Sequence, residues 1–443
     1  MRKVSNKVED NIYAFDPGKS EAIFMAPLKK ATPFNLGIII DTALKIPPIT
    51  GVTYRLFYLS RKLAQHGISV KIFICNRNIE KDEDIKRVLN DSDIELHIIP
   101  ERNFYNVVKL RKIVAKNKID ILQFEDSASV LRYYPIAERL QIPIVLEMHD
   151  IESTLQKYFQ KSPKKIALSQ VISNIACRLS DIVITMTPFD FFELTEKIDS
   201  CSKKLQLIPN PIDFSEFRFY GPNLKQNNII FIGNMYYKPN KEAAKYIATK
   251  IFPILKKKDK NITFTFIGMA GDELQKLANS NLIFTGPVNS LNEFLLQATI
   301  ALCPITHGSG MKVKILNYCA AGLPIITTKL GASGYEKISS IIVEDDLSAF
   351  PDIIVELLSQ QKKLKKIGMR NYQLAKKYYD INDIAKKLTG IYQDLIDLNQ
   401  VNKNTLRMKK IKLPLPLWLE EGRIKKIKNK NYYVVKNNKI KII

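Results

Sequence analysis

A glycine-rich stretch in the C-terminal half of the chain combines residue types that bind phosphate. It reads HGSGMKVKILNYCAAGLPIITT, from His307 to Thr328. The apolar run before it predicts a strand, and the recurrence of Met311, Ile315 and Cys319 at helical spacing predicts a helix after it. The stretch is therefore predicted to contain a strand-to-helix turn.

The turn itself is the candidate anion site. Ser309 is predicted to be the N-cap of the helix, so that the backbone amides of Gly310, Met311 and Lys312 point out of the helix start. Such amides favour an anion, and glycine lets it approach the backbone closely. Lys314 adds positive charge. The alternative is that the turn binds nothing and that Lys312 and Lys314 lie on a solvated helix face.

A second group of candidate residues lies in the N-terminal half. His149 and Asp150 directly follow a predicted strand at residues 142–147, and Glu152 is close to them. Asp150 and Glu152 can form an acid/base pair. In the alternative interpretation, His149 is a structural histidine at the strand end and Asp150 caps the helix that begins near Glu152. His307 is likewise interpretable as a simple loop residue.

The elements that must position these residues form two series of alternating strands and helices. Buried apolar runs alternate with amphipathic segments over residues 35–210, and the pattern returns over residues 229–380. Such runs predict parallel sheets covered by helices on both faces. The predicted fold class is therefore α/β, with two doubly wound Rossmann-like domains that face each other across a cleft, where ligands of such sheets bind.

Further segments complete the predicted organisation. They are an N-terminal extension (1–34), a linker rich in turn residues (211–228), a helix that packs back on the N-terminal domain (381–400), and a basic tail ending in a small hairpin (401–443).

Composition limits the partners of the chain. Its 68 Lys and Arg against 44 Asp and Glu give a formal charge of +24, which favours an anionic membrane surface and, less strongly, nucleic acid. No apolar run reaches the roughly 18 residues of a membrane span, and residues 1–32 lack the features of a secretory signal. A cytoplasmic protein is expected, peripheral to the membrane at most. The five widely spaced cysteines predict buried thiols rather than a zinc site.

Residues 155–179 are a candidate membrane-docking segment. They are predicted to form two helical pieces interrupted at Pro163, in which lysines alternate with aromatic and aliphatic residues. This composition suits docking on anionic lipid, whereas the alternative is an ordinary surface helix.

The motifs, taken together, resemble those of the group 1 (family 4-like) retaining glycosyltransferases of GT-B fold. The C-terminal half carries FIGNMYYKPN, FIGM, FTGPV, PITHGSGMKVKIL, AAGLPIITT and GASG. The N-terminal half carries TGVTYRLFYLSRKLAQHG, LEMHD, SDIVITMT and LIPNPID in the usual order. The resemblance extends over residues 35–398, and the joint occurrence of the motifs is far more specific than any one of them.

The resemblance implies transfer of a sugar from a nucleotide-sugar donor, which is a substrate, so no cofactor and no metal are expected. It implies catalytic roles for His149 and Asp150. It places the donor on the C-terminal domain and a glycan, lipid-linked or protein acceptor on the N-terminal domain. The donor-binding positions that it implies are Gly51, Gly233, Asn234, Lys238, Gly286, Pro287, Val288, Ser309, Gly310, Met311, Lys312, Lys314 and Asn317.

The chain departs from the family pattern at charged positions. Ser309 and Asn317 stand where the family often has two glutamates, and Asn234 and Asn240 stand where it often has a basic pair. An asparagine can hydrogen-bond a ribose hydroxyl only as a neutral partner. The diphosphate charge must then be met by helix amides or by Lys238, Lys312 and Lys314.

Other functions remain open at this stage. The missing acids favour a degenerate transferase retained as a binding or scaffolding subunit. An epimerase or phosphorylase of the same fold lacks a supporting acid/base group or cofactor lysine, and a nucleic-acid-binding module is motivated by charge alone.

Overall fold

The structure, a computed structural model, describes residues 33–43, 51–79, 94–197, 204–402, 433–436 and 439–442. Almost all of the predicted N-terminal extension and most of the predicted basic tail therefore lie outside the described residues. The same holds for Cys201.

The described part of the N-terminal domain is built on a parallel sheet. Its strands are β1 (Asn35–Ile40), β2 (Ser69–Cys75), β3 (Ile94–Ile99), β4 (Ile121–Phe124), β5 (Ile144–Met148), β6 (Ile182–Thr185) and β7 (Leu205–Leu207). Their order is β3-β2-β1-β4-β5-β6-β7, so the winding reverses between β1 and β4. The helices are α1 (Gly51–Gln65), α2 (Glu101–Phe104), α3 (Val107–Lys116), α4 (Ser127–Leu140), α5 (Glu152–Tyr158), α6 (Pro163–Leu179) and α7 (Pro188–Lys197).

The described part of the C-terminal domain repeats this design. Its strands are β8 (Asn228–Ile232), β9 (Thr263–Ile267), β10 (Leu282–Phe284), β11 (Ile300–Cys303), β12 (Ile325–Thr327) and β13 (Ile342–Val343), in the order β10-β9-β8-β11-β12-β13. The helices are α8 (Lys238–Tyr246), α9 (Phe252–Lys258), α10 (Asp272–Gln275), α11 (Asn292–Leu295), α12 (Lys314–Ala320), α13 (Phe350–Leu358), α14 (Gln361–Tyr379) and α15 (Ile381–Asn402).

The apolar runs explain why these strands lie in the middle of the sheets. β4 and β5 are buried along their whole length, as are β11 and β12, because helices cover both faces of each sheet. The predicted fold class is confirmed. In each sheet the reversal of winding opens a crevice at the carboxyl ends of the strands, which is where ligands of doubly wound sheets bind.

The last long helix, α15, returns to the N-terminal domain. Its buried residues belong to the same apolar cluster as β1, β2 and α1, and Tyr392 packs edge-on against Phe34. Before this helix, Ile212 pairs with the end of α14: its N–H donates to Tyr379 O at 2.9 Å, and Ile381 N–H donates to Ile212 O at 3.0 Å. The chain therefore crosses between the domains at residues 208–213 and again at residue 380.

Some local predictions need correction. The strand predicted at residues 142–147 lies at Ile144–Met148. A π-helical turn at Ile247–Ile251 lies between α8 and α9. Two helical pieces around Pro163 are confirmed, with Pro163 in the first turn of α6. The hairpin of Tyr433–Lys436 with Lys439–Ile442 is confirmed as well.

The described residues can be compared with the predictions of buried thiols and of no membrane span. Cys75, Cys177, Cys303 and Cys319 are free, buried thiols. Among the described helices, none is long and apolar enough to span a membrane.

Candidate functional site

The glycine-rich loop after β11 meets the end of β5 from the other domain. Ser309 Oγ donates a hydrogen bond to Asp150 Oδ1 at 2.6 Å. Gly310 has φ +66°, and a Cβ built there would lie 2.6 Å from Asp150 Oδ1 and 2.8 Å from His149 O. Only a residue without a side chain fits this close approach. The site predicted in two separate halves of the sequence is thus one site at the domain junction.

The predicted N-cap role of Ser309 is wrong. The helix α12 begins only at Lys314, and Val313 occupies the N-cap position without a side-chain hydrogen bond. The physical reason is that the Ser309 hydroxyl bonds Asp150 instead of the helix. The amides of Gly310, Met311 and Lys312 are consequently loop amides. Asp150 does not cap α5 either, because Ile151 takes that position.

Lys312 holds the loop in shape. Its Nζ donates to Ser309 O at 2.9 Å and to Gly310 O at 2.6 Å. Burial lowers the pKa of the Lys312 ammonium, and the nearby Cys303, Asp150 and Asp190 oppose that shift. Met311 lies between Gly310 and Lys312 in the loop, and its Sδ accepts a hydrogen bond from Asn210 N–H at 3.1 Å. The loop is therefore tied to itself and to the first interdomain crossing.

Lys314 is a buried cation without an acidic partner among the residues that the structure describes. Its side chain is 8% exposed, Nζ donates to Asn240 Oδ1 at 2.7 Å, and it lies 4.0 Å from the centre of the Phe231 ring. Within the described residues no carboxylate forms an ion pair with it. Burial lowers its pKa to about 8. The alternative of a solvated helix face is therefore wrong for Lys314.

The Lys314 ammonium lies at the carboxyl end of β8. A Cβ added to Gly233 would be 2.9 Å from Lys314 Nζ, so glycine keeps the space in front of the ammonium open. Asn240 also donates through Nδ2 to Asn234 O at 3.0 Å, and Asn234 Oδ1 accepts from Tyr236 N–H at 3.0 Å. The two asparagines that replace the basic pair thus build the turn and hold Lys314.

Asn317 is buried on α12, and its side-chain oxygen has no hydrogen-bond partner in the part of the chain that the structure describes. A buried acceptor without a partner is costly unless a ligand or water supplies a donor. The Asn317 oxygen is therefore an unsatisfied acceptor in the first turn of α12.

The other predicted donor residues surround this centre at different distances. Gly286, with φ +70°, accepts a hydrogen bond from Gly268 N–H at 3.0 Å, and Gly268 packs directly on Gly233 O. Pro287 and Val288 follow in the same loop after β10. A Cβ on Gly51, at the start of α1, would be 3.7 Å from Val313 Cγ2. Gly233 and Gly286 thus follow the ends of β8 and β10, whereas Gly51 begins α1.

Lys238 lies apart, at the rim of the cleft. It is exposed, pairs with Glu242 at 3.7 Å between Nζ and Oε1, and lies 5.9 Å from the Tyr158 ring centre. No sequence pattern predicted its neighbours. His307 stacks on Tyr158, with 4.8 Å between ring centres. Both side chains contact Glu242 Oε2: Tyr158 Oη donates to it at 3.3 Å, and His307 Nδ1 lies 3.4 Å from it. This rim cluster joins α5 to the C-terminal domain.

A buried polar network beneath His149 is the largest feature that sequence patterns missed. Arg55, fully buried on α1, donates through Nε to Glu147 Oε2 at 2.9 Å and through Nη2 to Glu147 Oε1 at 3.1 Å. Arg55 Nη1 donates to Pro209 O at 2.7 Å. His149 Nε2 lies 2.8 Å from Glu125 Oε2. Charged residues inside otherwise apolar strands, such as Glu147 in β5, were the available signal.

The pKa shifts in this network follow from the pairing. Burial favours the neutral form of Glu147, but the Arg55 guanidinium outweighs it and lowers the pKa of that carboxyl. Burial raises the pKa of Glu125, with Glu147 adding to the shift and His149 and Gln123 opposing it. Close to the loop, burial raises the pKa of Asp190 to about 7, although a hydrogen bond from Thr187 opposes this.

Glu125, Glu147 and His149 also have the chemistry of metal ligands, with donor atoms within 4.8 Å of one another. Both oxygens of Glu147, however, already accept from Arg55. A divalent cation there would stand beside a buried guanidinium, so these residues suit an internal charge network better than a metal.

Comparison with known proteins places this arrangement in a family. Residues 49–216 match Glycosyltransferase Family 4, and residues 226–360 match Glycosyl transferases group 1. The chain is also similar to an uncharacterized 44.6 kDa protein in the cps region of Klebsiella pneumoniae, with 22% identity over 205 residues, or 43% of this chain and 53% of that protein. The chain thus spans about half the length of this curated relative.

Solved structures share the fold across most of the chain. Anabaena Alr3699/HepE in complex with UDP-glucose has a TM-score of 0.64 at 12% identity, covering 82% of this chain and all of that one. A Rickettsia africae glycosyltransferase has a TM-score of 0.64 at 13% identity, covering 82% and 99%. WaaG, a glycosyltransferase involved in lipopolysaccharide biosynthesis, has a TM-score of 0.59 at 15% identity, covering 81% and 99%.

The first family match, residues 49–216, covers β2 to β7 of the N-terminal sheet and the crossing at residues 208–213, and the second, residues 226–360, covers the C-terminal sheet. The chain belongs to the group 1 glycosyltransferases of GT-B fold.

Proposed function

We propose that the protein transfers a sugar, with retention and without a metal ion, from a nucleoside diphosphate sugar to a glycan, lipid-linked or protein acceptor. The observation that carries the proposal is Lys314, a buried ammonium without an acidic partner in the described chain, at the open end of β8. A buried cation of this kind is stabilised when an anion completes it. The Anabaena relative of the same fold was crystallised with UDP-glucose and with UDP.

In this scheme the diphosphate is held by Lys314 and by the amides of the loop that Lys312 keeps in shape. The unpartnered oxygen of Asn317 accepts from a ribose hydroxyl, and the loop of Gly286, Pro287 and Val288 borders the base. These residues provide one charge, one neutral acceptor and a glycine-lined approach.

His149 and Asp150 supply the polar groups nearest the reacting sugar. Asp150 is joined to Ser309 across the junction at 2.6 Å, where the family often carries an acid. The pair thus brings a carboxylate from the N-terminal domain to a loop that lacks one. We therefore propose that the Asp150 carboxylate, from the N-terminal domain, serves catalysis in place of the missing acid of the loop.

The acceptor side is proposed to face a membrane on the cytoplasmic side. Exposed lysines near the start of α6, namely Lys157, Lys161, Lys164 and Lys165, favour an anionic lipid surface. Tyr158 and Phe159 are partly buried in this arrangement, because Tyr158 stacks on His307 and Phe159 packs edge-on against Tyr237. The relative in a cps region favours a role in capsular polysaccharide synthesis.

Donor turnover by the purified chain tests the function. A panel of uridine, guanosine, adenosine and thymidine diphosphate sugars is first screened for thermal stabilisation, because a ligand that binds only the folded state raises Tm. Stabilising donors are then incubated with lipid extract, and the freed nucleoside diphosphate is measured. Stabilisation and turnover by the same donor support the proposal. If no member of the panel stabilises the protein or turns over, the proposal is wrong.

A catalytically silent binding subunit is the second candidate, and the serine and asparagine at positions 309 and 317 favour it. It predicts that a donor stabilises the protein while no donor is consumed in the presence of any acceptor. Hydrolysis or transfer excludes it.

A further inference from the structure

The hydrogen bonds beneath His149 form a chain with a defined order of donors and acceptors. Tyr392, on the returning helix α15, donates its hydroxyl to Gln123 Oε1 at 2.5 Å. Gln123 Nε2 donates to Glu125 Oε1 at 2.8 Å, and His149 Nε2 lies 2.8 Å from the other oxygen, Glu125 Oε2. Tyr392, Gln123 and Glu125 are buried, and the His149 side chain is nine-tenths buried. Each group therefore has few alternative partners.

The order follows from which atoms can donate. The side-chain amide of Gln123 accepts through Oε1 and donates through Nε2. Because Oε1 accepts from Tyr392, Nε2 is left to donate to Glu125. Glu125 thus receives a hydrogen bond at Oε1 and is left with an accepting oxygen, Oε2, toward His149. A carboxylate at this place orients a histidine by accepting from its ring N–H.

The two buried glutamates differ in how their charges are balanced. Glu147 is compensated by the bidentate Arg55, whereas no lysine or arginine pairs with Glu125 in the described chain and the His149 ring is its neighbour at Oε2. Buried charges are paired or neutralised. The carboxylate of Glu125 therefore depends on His149, and the ring orientation of His149 depends on Glu125.

Building on the proposed function, we propose that Glu125 is a positioning residue for His149. It accepts from His149 Nε2–H and leaves Nδ1 as the ring nitrogen that interacts with the donor. The hydrogen-bond chain from Tyr392 fixes Glu125 in this role, so the helix that returns from the C-terminal domain takes part in ordering the site.

Glu125→Gln is the discriminating variant because it keeps the volume but reverses one bond. Gln123 still donates, so the new amide turns its oxygen toward Gln123 and its NH₂ toward His149. His149 Nε2 must then accept, and its proton moves to Nδ1. Nitrogen-15 NMR of histidine-labelled full-length protein reads this tautomer directly. The chain has only 4 histidines, so assignment by single substitution is practical.

The chain offers a matched control. His97 Nε2 lies 2.9 Å from Glu95 Oε1 on β3, with Glu95 half-exposed and far from the loop in sequence and sheet order. Glu95→Gln is expected to leave the His149 signals and donor turnover unchanged. Wild type is expected to carry a proton on His149 Nε2, and Glu125→Gln to lose it. An unprotonated Nε2 in wild type, or an unchanged Nε2 in Glu125→Gln, overturns the proposal.

Kinetics separates positioning from general damage. Glu125→Gln is expected to lower kcat for donor turnover about 10- to 100-fold, the effect of losing one hydrogen bond to a charged group, with little change in donor KM. Tyr392→Phe, which frees Gln123 to rotate, is expected to cause a smaller loss of kcat. Equal loss of donor binding and turnover in both variants contradicts positioning. Because the tautomer is measured without donor, a protein inactive on every donor refutes the proposed function and leaves this test intact.

Discussion

The two domains hold their buried charges in opposite ways. In the N-terminal domain, Glu147 receives two hydrogen bonds from Arg55, and Glu125 is engaged by Gln123 and His149. In the C-terminal domain, Lys314 has a neutral amide and an aromatic ring as neighbours and no acidic partner among the described residues. A paired charge network is complete without a ligand, whereas an unpaired ammonium becomes stable when an anion binds.

The comparison assigns different work to the two halves. The N-terminal network fixes geometry before the substrate arrives, which is how preorganised sites limit the cost of reaching the transition state. In the proposed function, Lys314 of the C-terminal domain instead contributes when the donor binds. Substitutions in each half can therefore distinguish a completed charge pair from an unpaired ammonium.

Arg55→Met tests whether the N-terminal network is a completed charge pair. Removing the guanidinium leaves Glu147 buried without compensation, and we expect the free energy of unfolding to fall by about 3–5 kcal/mol. Urea denaturation measures it. The double variant with Glu147→Gln removes the stranded charge and should recover part of the loss. A single variant as stable as wild type would show that Arg55 and Glu147 do not depend on each other.

Lys314→Met tests the opposite state in the C-terminal domain. Burial lowers the Lys314 pKa from 10.5 to about 8, so protonated Lys314 disfavours the ligand-free fold. The variant should be more stable than wild type near neutral pH, by up to about 3 kcal/mol.

The sign of its pH dependence follows from linkage. Between the folded pKa of about 8 and the ordinary value of 10.5, the unfolded chain binds more protons at Lys314, so wild-type stability rises with pH. The advantage of Lys314→Met should therefore shrink as pH rises above about 8. Urea curves of both proteins across this range measure the difference. A pH-independent difference would contradict an unpaired buried ammonium.

Gly310→Ala tests the contact between the halves. The residue has positive φ, and its new Cβ would stand 2.6 Å from Asp150 Oδ1. We expect a loss of about 1–2 kcal/mol from the backbone conformation alone, with reduced turnover because the loop moves away from His149. Ser309→Ala is the control, since it removes only the hydrogen bond to Asp150. If Gly310→Ala matches wild type in melting temperature and turnover, the close approach is not a feature of the working enzyme.

His307→Ala tests the rim cluster and has the smallest expected effect. The ring is half-exposed, and its interaction with Glu242 is screened by solvent, so the change in stability should stay within about 1 kcal/mol. Differential scanning calorimetry is the measurement. A larger loss would mean that the rim, rather than the loop at Asp150, joins the domains.

The fold was predictable because its signals are local. Each apolar run and each amphipathic helix repeats within about a dozen residues, and two such series predict two parallel sheets. The prediction failed where tertiary packing decides, as at the start of α12. From sequence, the nearest hydrogen-bond partner for the Ser309 hydroxyl was a backbone amide of the following helix. Its actual partner, Asp150, comes from the other domain.

The site was predictable in its outline and not in its connections. Spacing indicated the loop, His149, Asp150 and Lys314, because glycines and charges interrupt apolar patterns there. The bonds of Arg55 to Glu147 and of Tyr392 to Gln123 join residues 92 and 269 positions apart, and no local pattern encodes such pairs. Neither could spacing show that Lys312 turns back on its own loop while Lys314 faces the cleft end of β8.

The most direct test of the central claim is calorimetric titration of nucleoside diphosphate and nucleoside monophosphate into wild type, Lys314→Met and the rim control Lys238→Met. We expect wild type and Lys238→Met to bind the diphosphate more tightly than the monophosphate, by about 10- to 100-fold, as suits a charge-assisted contact. Lys314→Met should lose that preference. An undiminished preference for diphosphate in Lys314→Met would contradict the assignment of this lysine as the diphosphate site.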